Sequence, residues 1–156
     1  MIICKNKKAG FDYELSDYLV CWIQLKWYEV KALREKNVSM KWAYISFNNW
    51  WSDKLEMFVK NLNIWKYSKL PNSFEHFPDA PRKILANKNE IEKFFSKWDQ
   101  PWYSVIPTAI LTKWRYIKIE IALWKWKKKF DKRNTIKERD VNRGLAKNLK
   151  KFINWG

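Results

Sequence analysis

Polar and apolar positions alternate most cleanly along Ile117-Lys118-Ile119-Glu120-Ile121-Ala122-Leu123, a period of two that predicts a half-buried strand over Tyr116 to Leu123. Tyr103 to Thr112 precedes it as a second long strand, joined through a tight Lys113-Trp114-Arg115 connection. Near the start, Phe11 to Leu15 alternates and predicts a strand. Tyr18 to Leu25 is almost continuously apolar and predicts a separate, more buried one. Met40 to Phe47 and Leu55 to Leu62 read as a strand pair, with turn chemistry from Asn48-Asn49 and Ser52-Asp53.

Helical spacing occurs twice in this body. Tyr28 to Glu35 places Val30, Leu33 and the aliphatic part of Arg34 on one side. Asn89 to Phe95 places Ile91, Phe94 and Phe95 inward. Between Lys69 and Pro81, the prolines 71, 78 and 81 exclude a strand or helix interior. Five or six strands with two short helices predict a mainly β fold: a small closed antiparallel barrel of the oligonucleotide-binding (OB-like) type.

The alternation ends in the run Lys125-Trp126-Lys127-Lys128-Lys129, and the pattern changes there. Residues 124–156 hold 12 Lys/Arg against 3 Asp/Glu, more than half the excess of a chain whose net charge is +16. Thr135-Ile136-Lys137-Glu138 has the form of a capping box, and Val141, Leu145, Leu149 and Phe152 follow at helical spacing. Gly144 costs that helix about 1 kcal/mol relative to Ala. Two parts are therefore expected: a body over 1–123 and a basic tail over 124–156 that becomes helical on a partner.

Such charge selects a polyanion, either nucleic acid or an anionic membrane surface. No stretch approaches the roughly 18 apolar residues of a spanning helix, and Lys5, Lys7 and Lys8 follow the first apolar residues in the reverse order of a signal peptide. The expectation is a cytoplasmic protein without a membrane partner. Cys4, Cys21 and the single His76 lack the spacing of a zinc site, so no metal or cofactor is expected. The cysteines read as reduced thiols without a role, and His76 as an exposed loop residue. With no Gly-rich phosphate loop, no nucleophile–base arrangement and only scattered acids, catalysis is not expected.

Four strings, in order, carry a resemblance. They are Asn6-Lys7-Lys8-Ala9 with Asp12-Tyr13; Glu29-Val30-Lys31-Ala32-Leu33-Arg34; Arg82-Lys83-Ile84-Leu85 leading into Glu90-Ile91; and Glu120-Ile121-Ala122-Leu123 through Phe130 to Asp140. Together they resemble the SsrA-binding protein family (small protein B), the partner of transfer-messenger RNA (tmRNA) in bacterial ribosome rescue. The resemblance runs from Asn6 to Lys150. It implies a monomeric, non-enzymatic RNA-binding protein whose body grips the tRNA-like domain of tmRNA and whose tail meets small-subunit rRNA. The RNA face it implies contains Glu29, Lys31, Arg34, Leu85, Asn87 and Lys118. A carboxylate on such a face reads base amino groups or ribose hydroxyls, where lysine reads charge. Glu29 reads equally well as one partner of an intrahelical or surface ion pair, and Leu85 as core. The implied decoding-region residues are Lys125, Lys127, Lys128, Phe130, Asp131, Lys132, Arg133, Ile136 and Lys137, with Phe130 placed to stack on a base. A general single-strand nucleic-acid chaperone of the same barrel class, or a protein of the ribosome alone, shares the charge but not these strings.

Where the family has glycine, this chain has tryptophan at Trp22, Trp27, Trp50, Trp102, Trp114 and Trp126; the whole chain has 12 Trp and 3 Gly. One explanation is an aromatic RNA-binding surface. The other is a gene whose UGA codons mean glycine, translated with UGA as tryptophan. The second explains why the tryptophans fall at turns, and it predicts exposed side chains at turns and strand ends.

Overall fold

The computed structural model describes residues 1–7, 9, 13–48 and 54–126. Among them the chain is mainly β. Strands β1 (Ile2–Lys5), β2 (Tyr13–Ile23), β4 (Tyr44–Asn48), β5 (Glu56–Lys60), β7 (Arg82–Leu85), β8 (Tyr103–Lys113) and β9 (Tyr116–Trp126) form one sheet in the order β1-β8-β9-β2-β7-β5-β4. Every recorded pairing in it is antiparallel. β3 (Val38–Ser39) and β6 (Asn63–Ile64) make a separate two-stranded ladder. Helix α1 (Trp27–Arg34) follows β2, and α2 (Lys88–Trp98) follows β7. The expected closed barrel is not found: among the described residues no ladder joins β4 back to β1, although β4 packs across β8.

The period-two signal in β9 becomes the centre of the core. Ile117, Ile119, Ile121 and Leu123 are buried, and they pack with Leu33 of α1, Ile45, Met57, Val59, Ile84 and Ile110. Each such side chain contributes about 1.5–3 kcal/mol by leaving water. On α1 the buried set is Tyr28, Glu29, Ala32 and Leu33; Val30 is half-buried and Arg34 is exposed. The expected inward face is thus rotated toward residues 28 and 32. On α2 Phe94 is buried, while Ile91 and Phe95 are half-buried. Phe47, Phe95 and Trp98 stack their rings at centroid distances of 5.1–5.8 Å, fixing α2 against β4.

The two strands expected over Phe11–Leu15 and Tyr18–Leu25 are one strand. A bulge falls at Asp17, with φ of 47°, between the pairs Ser16↔Leu123 and Tyr18↔Ala122. Lys97 Nζ lies 2.5 Å from Asp17 Oδ2 and Lys93 Nζ 3.7 Å from Oδ1, so α2 holds the bulge by charge. Pro107 sits in the interior of β8, a position it tolerates because the ladder shifts there. Asn6 closes that bulge: its Nδ2 donates to the Pro107 carbonyl at 3.2 Å, and its backbone N–H donates to the Thr108 carbonyl. β9 continues through Trp124 and Lys125, which pair with both β2 and β8, and Trp126, which pairs with Tyr13 of β2.

Among the six tryptophans singled out above, Trp102 and Trp114 have φ of 76° and 59° and are 79% and 91% exposed. Positive φ is where a bulky residue is an outlier and glycine is not. Trp22 and Trp27 are also exposed but keep negative φ, near the end of β2 and the start of α1. Trp126 ends β9, and Trp50 lies outside the described residues, as do Phe11 and the residue 49–53 turn.

Candidate nucleic-acid interface

β2 alternates in the middle of the sheet, sending Cys21 into the core and Tyr18, Val20 and Trp22 outward, where they are 58%, 46% and 44% exposed. The register sets Trp22 opposite Lys118 on one side and Leu85 on the other. Lys118 Nζ lies 4.4 Å from the Trp22 ring centroid, and Tyr116 meets that ring edge-on at 5.3 Å. Leu85 is 46% exposed, which decides against the core reading. Asn87 is exposed two residues on, at the start of α2, where Glu90 Oε2 accepts its backbone N–H at 3.0 Å. Leu85 and Lys118 are therefore brought to one outward face, with Asn87 exposed where α2 begins. A row of apolar side chains edged by lysine offers stacking surface beside a charge for phosphate.

Glu29 is not on that surface. It is 4% exposed, and its oxygens have partners. Oε1 accepts from Arg82 Nε at 2.8 Å and Nη2 at 2.7 Å, and Oε2 accepts the backbone N–H of Lys26 at 2.9 Å, capping α1. Arg82 is equally buried, at 4%, and spends its remaining donors on the carbonyls of Leu62, Ala80 and Pro78. The expected direct acceptor is thus a buried pair that fastens α1 to β7 and to the proline-rich loop. Lys31 and Arg34 are exposed on α1. Lys31 Nζ stands 5.0 Å from the Trp27 ring and 5.4 Å from the Tyr67 ring.

His76 is half-buried rather than exposed. Its Nε2 lies 2.7 Å from the Ile64 carbonyl, and its ring meets Tyr28 edge-on. It belongs to the packing of the loop. Both cysteines are free; burial raises the Cys4 thiol, and burial with the nearby Glu90 charge pushes Cys21 up to about 12. Among the described residues no cluster of three metal-ligating side chains occurs, and no helix is long and apolar enough to cross a membrane.

Of the tail residues, Lys125 is on β9, exposed, with Nζ 5.5 Å from the ring of its cross-strand neighbour Tyr103. Lys127, Lys128, Phe130, Asp131, Lys132, Arg133, Ile136 and Lys137 lie outside the described residues, as does the Thr135 capping box. Sequence reasoning missed Arg82 as a fastener, and Tyr18, Val20 and Tyr116 as exposed members of the face. For Arg82 the sequence held little signal, because Lys83 stands beside it and nothing in Pro81-Arg82-Lys83-Ile84-Leu85 says which of the two basic residues turns inward. For Tyr18 and Val20 there was none, because a wholly apolar run does not declare which face is open.

Known proteins match this chain in sequence over nearly all of its length and in structure over 81% of it. The family model described as "SmpB protein" matches residues 3–151. The SsrA-binding protein of Thermosipho africanus is 38% identical over 151 residues, covering 96% of this chain and 97% of that one. The SsrA-binding protein of Mesomycoplasma hyopneumoniae is 40% identical over 151 residues, covering 97% and 98%. Among solved structures, a chain of "tmRNA-SmpB: a journey to the center of the bacterial ribosome" superposes with a TM-score of 0.66 at 28% identity, covering 81% of this chain and 85% of its own. With the family model matched from residue 3 to residue 151 and relatives 38% and 40% identical over nearly their full length, this chain belongs to the SmpB protein family.

Proposed function

We propose that this chain binds tmRNA and delivers it to stalled ribosomes, where translation resumes on the RNA's own message and the stalled product is tagged for degradation. The observation that carries the reading is the outward row of Tyr18, Val20, Leu85 and Lys118 on a chain of net charge +16 that matches the SmpB protein family from residue 3 to residue 151. Relatives bearing the name SsrA-binding protein, and a solved neighbour that sets SmpB with tmRNA in the bacterial ribosome, support both partners.

In this reading the body and the tail divide the work. Leu85, Asn87 and Lys118, with Lys31 and Arg34 on the adjacent helix, grip the tRNA-like domain. Glu29 holds that helix in place from beneath. Lys125 through Lys137 follow the empty message path into the decoding region, and Phe130 stacks there, worth about 1–3 kcal/mol. The packing of β4 across β8 supports a sheet curled toward an oligonucleotide-binding barrel. Competition between a folded tRNA-like RNA and an unstructured RNA of equal length tests the proposal. The tRNA-like RNA is expected to win by at least tenfold; equal binding would instead make the chain a general single-strand binder.

A further inference from the structure

The proline-rich loop leaves a large aromatic side chain in water on a backbone that cannot move freely. Phe77 is 59% exposed. Its carbonyl accepts the Ala80 N–H at 3.4 Å; the next carbonyl, of Pro78, accepts both the Ile64 N–H at 3.0 Å and Arg82 Nη2 at 2.9 Å. The Ala80 carbonyl accepts Arg82 Nη1 at 2.9 Å. Across from this turn lies the corner between β2 and α1, fixed by the Gln24 N–H to the Lys83 carbonyl at 2.9 Å and by the Lys26 N–H to Glu29. One buried ion pair, Arg82 with Glu29, therefore sets both walls of the cleft between them.

That cleft has a volume of about 330 Å³, within the range of small-ligand sites, and Gln24, Lys26, Phe58, Phe77 and Lys83 line it. Phe58 and Lys83 are direct neighbours on β5 and β7, and Leu85 lies two residues beyond Lys83 on the same face of β7. The cleft thus continues the outward face already described. Its charges favour an anion. Glu29 is neutralised by Arg82, and Lys83 pairs with Glu56. Lys26 makes no ion pair among the described residues, and its Nζ stands 5.8 Å from the Tyr28 ring.

We propose that this cleft holds one unpaired RNA nucleotide, with its base stacked on the Phe77 ring and its phosphate held by Lys26. The inference rests on the RNA-binding reading above and adds a site to it. A base in a duplex has both faces stacked and cannot enter; a base in a loop or bulge has a free face. Because the backbone on the C-terminal side of Phe77 is held through the Pro78 and Ala80 carbonyls, stacking there orders little more than the ring itself. It also gives the buried Glu29 a part in RNA binding as a positioning residue, without any contact to RNA.

The experiment uses the full chain and a tRNA-like RNA in which each unpaired nucleotide is replaced in turn by an abasic one. Phe77→Ala and Phe77→Leu remove the flat ring, and Phe77→Tyr keeps it; thermal midpoints control for folding. One abasic position is expected to weaken the unmodified protein about tenfold, in line with base–aromatic stacking. Phe77→Leu should lose about as much on the intact RNA and nothing further at that position, while Phe77→Tyr stays within about twofold. Binding unchanged by Phe77→Leu, or losses at every abasic position that persist in Phe77→Leu, would overturn the inference and leave the RNA-binding reading standing. An unmodified protein that ignores the tRNA-like RNA altogether would overturn both.

Discussion

Arg82 and Glu29 stand 53 residues apart in sequence and 2.7 Å apart in space, each 4% exposed. A buried pair of this kind fixes geometry more than it adds stability, since two charges must leave water to form it. Its uncompensated half is the costly state. Arg82→Ala should therefore destabilise the protein by about 3–5 kcal/mol. Replacing both partners with apolar residues of similar size, Glu29→Met with Arg82→Leu, should recover part of that loss, because the unpaired charge is gone while the carbonyls of Leu62, Ala80 and Pro78 still lack the arginine donors. Urea unfolding of the three proteins checks it, and a double variant no more stable than Arg82→Ala would refute the pairing argument. The double variant also frees the loop carbonyls of Pro78 and Ala80, so its tRNA-like RNA binding should stay impaired even where stability returns.

That pair also marks how far sequence alone reaches. The strand pair around residues 113–116, both helices and the proline-rich excursion were legible because period, turn chemistry and proline act locally. β7 was not read as a strand, since four residues in Arg82-Lys83-Ile84-Leu85 are too few for a period to show. Asp17 misled the reading for a different reason: a charged residue in an apolar run looks like a break, but here Lys93 and Lys97 compensate it across space and the strand passes through a bulge. Open or closed topology depends on whether edges meet, which no local pattern encodes. In the site, Leu85 and Lys118 share a neighbour in Trp22 through strand register, whereas the depth of Glu29 depends on a partner distant in sequence.

The bulge makes a prediction about pH. The Lys97 ammonium hydrogen-bonded to Asp17, aided by the charges of Lys97 and Lys93 and opposed by partial desolvation, holds the carboxyl below its ordinary value of 3.8. A depressed folded pKa means that the unfolded chain takes up the proton first as pH falls. The stabilisation is thus fully present above pH 3.8 and is lost as pH falls through the lower folded value. Asp17→Asn should be less stable than the parent near pH 6, and the gap should narrow toward pH 3. Denaturation midpoints across that range check the sign; a gap that widens on acidification would contradict it.

Lys118 and Leu85 flank the same residue but should fail differently. Lys118→Ala removes a charge available to phosphate, so it should weaken every RNA and lower the slope of log K against log salt by a little under one unit. Leu85→Ala removes apolar surface, so it should reduce affinity for the tRNA-like RNA at all salt concentrations without changing the slope. Titrations at several ionic strengths separate them. Parallel behaviour of the two variants would mean that the face reads charge alone.

The tryptophans divide by backbone conformation. At Trp102 and Trp114, where φ is 76° and 59°, glycine should stabilise the protein by roughly 1–2 kcal/mol each by relieving the left-handed strain. At Trp27, the first residue of α1 with φ negative, glycine should bring no such gain. Thermal unfolding of the single variants checks this. Recoding of UGA further predicts glycine at Trp22, Trp27, Trp102 and Trp126 in the protein from its native source, and tryptic peptides carrying intact tryptophan there would refute it.

The last prediction locates where the body ends. The charge pattern changes after Leu123, but the ladder does not: Trp124 pairs with Ser104 and Leu15, Lys125 with Tyr103 and Glu14, and Trp126 with Tyr13. Truncation after Leu123 strips from β9 two residues paired on both sides and a third paired with β2, and leaves β2 and β8 with open backbone donors and acceptors. Truncation after Trp126 removes only the residues that follow the ladder. The longer fragment should unfold close to the parent, bind the tRNA-like RNA with reduced affinity, and fail to support rescue on stalled ribosomes. Under the proposed function, loss of the Lys127–Lys137 stretch would account for both defects, through phosphate charge in the first and decoding-region contacts in the second. The shorter fragment should be markedly less stable, with its lowest hydrogen-exchange protection at Tyr13 to Leu15 and at Tyr103 and Ser104. Equal stability of the two fragments would put the boundary back at Leu123, and rescue activity in either would refute the division of labour between body and tail.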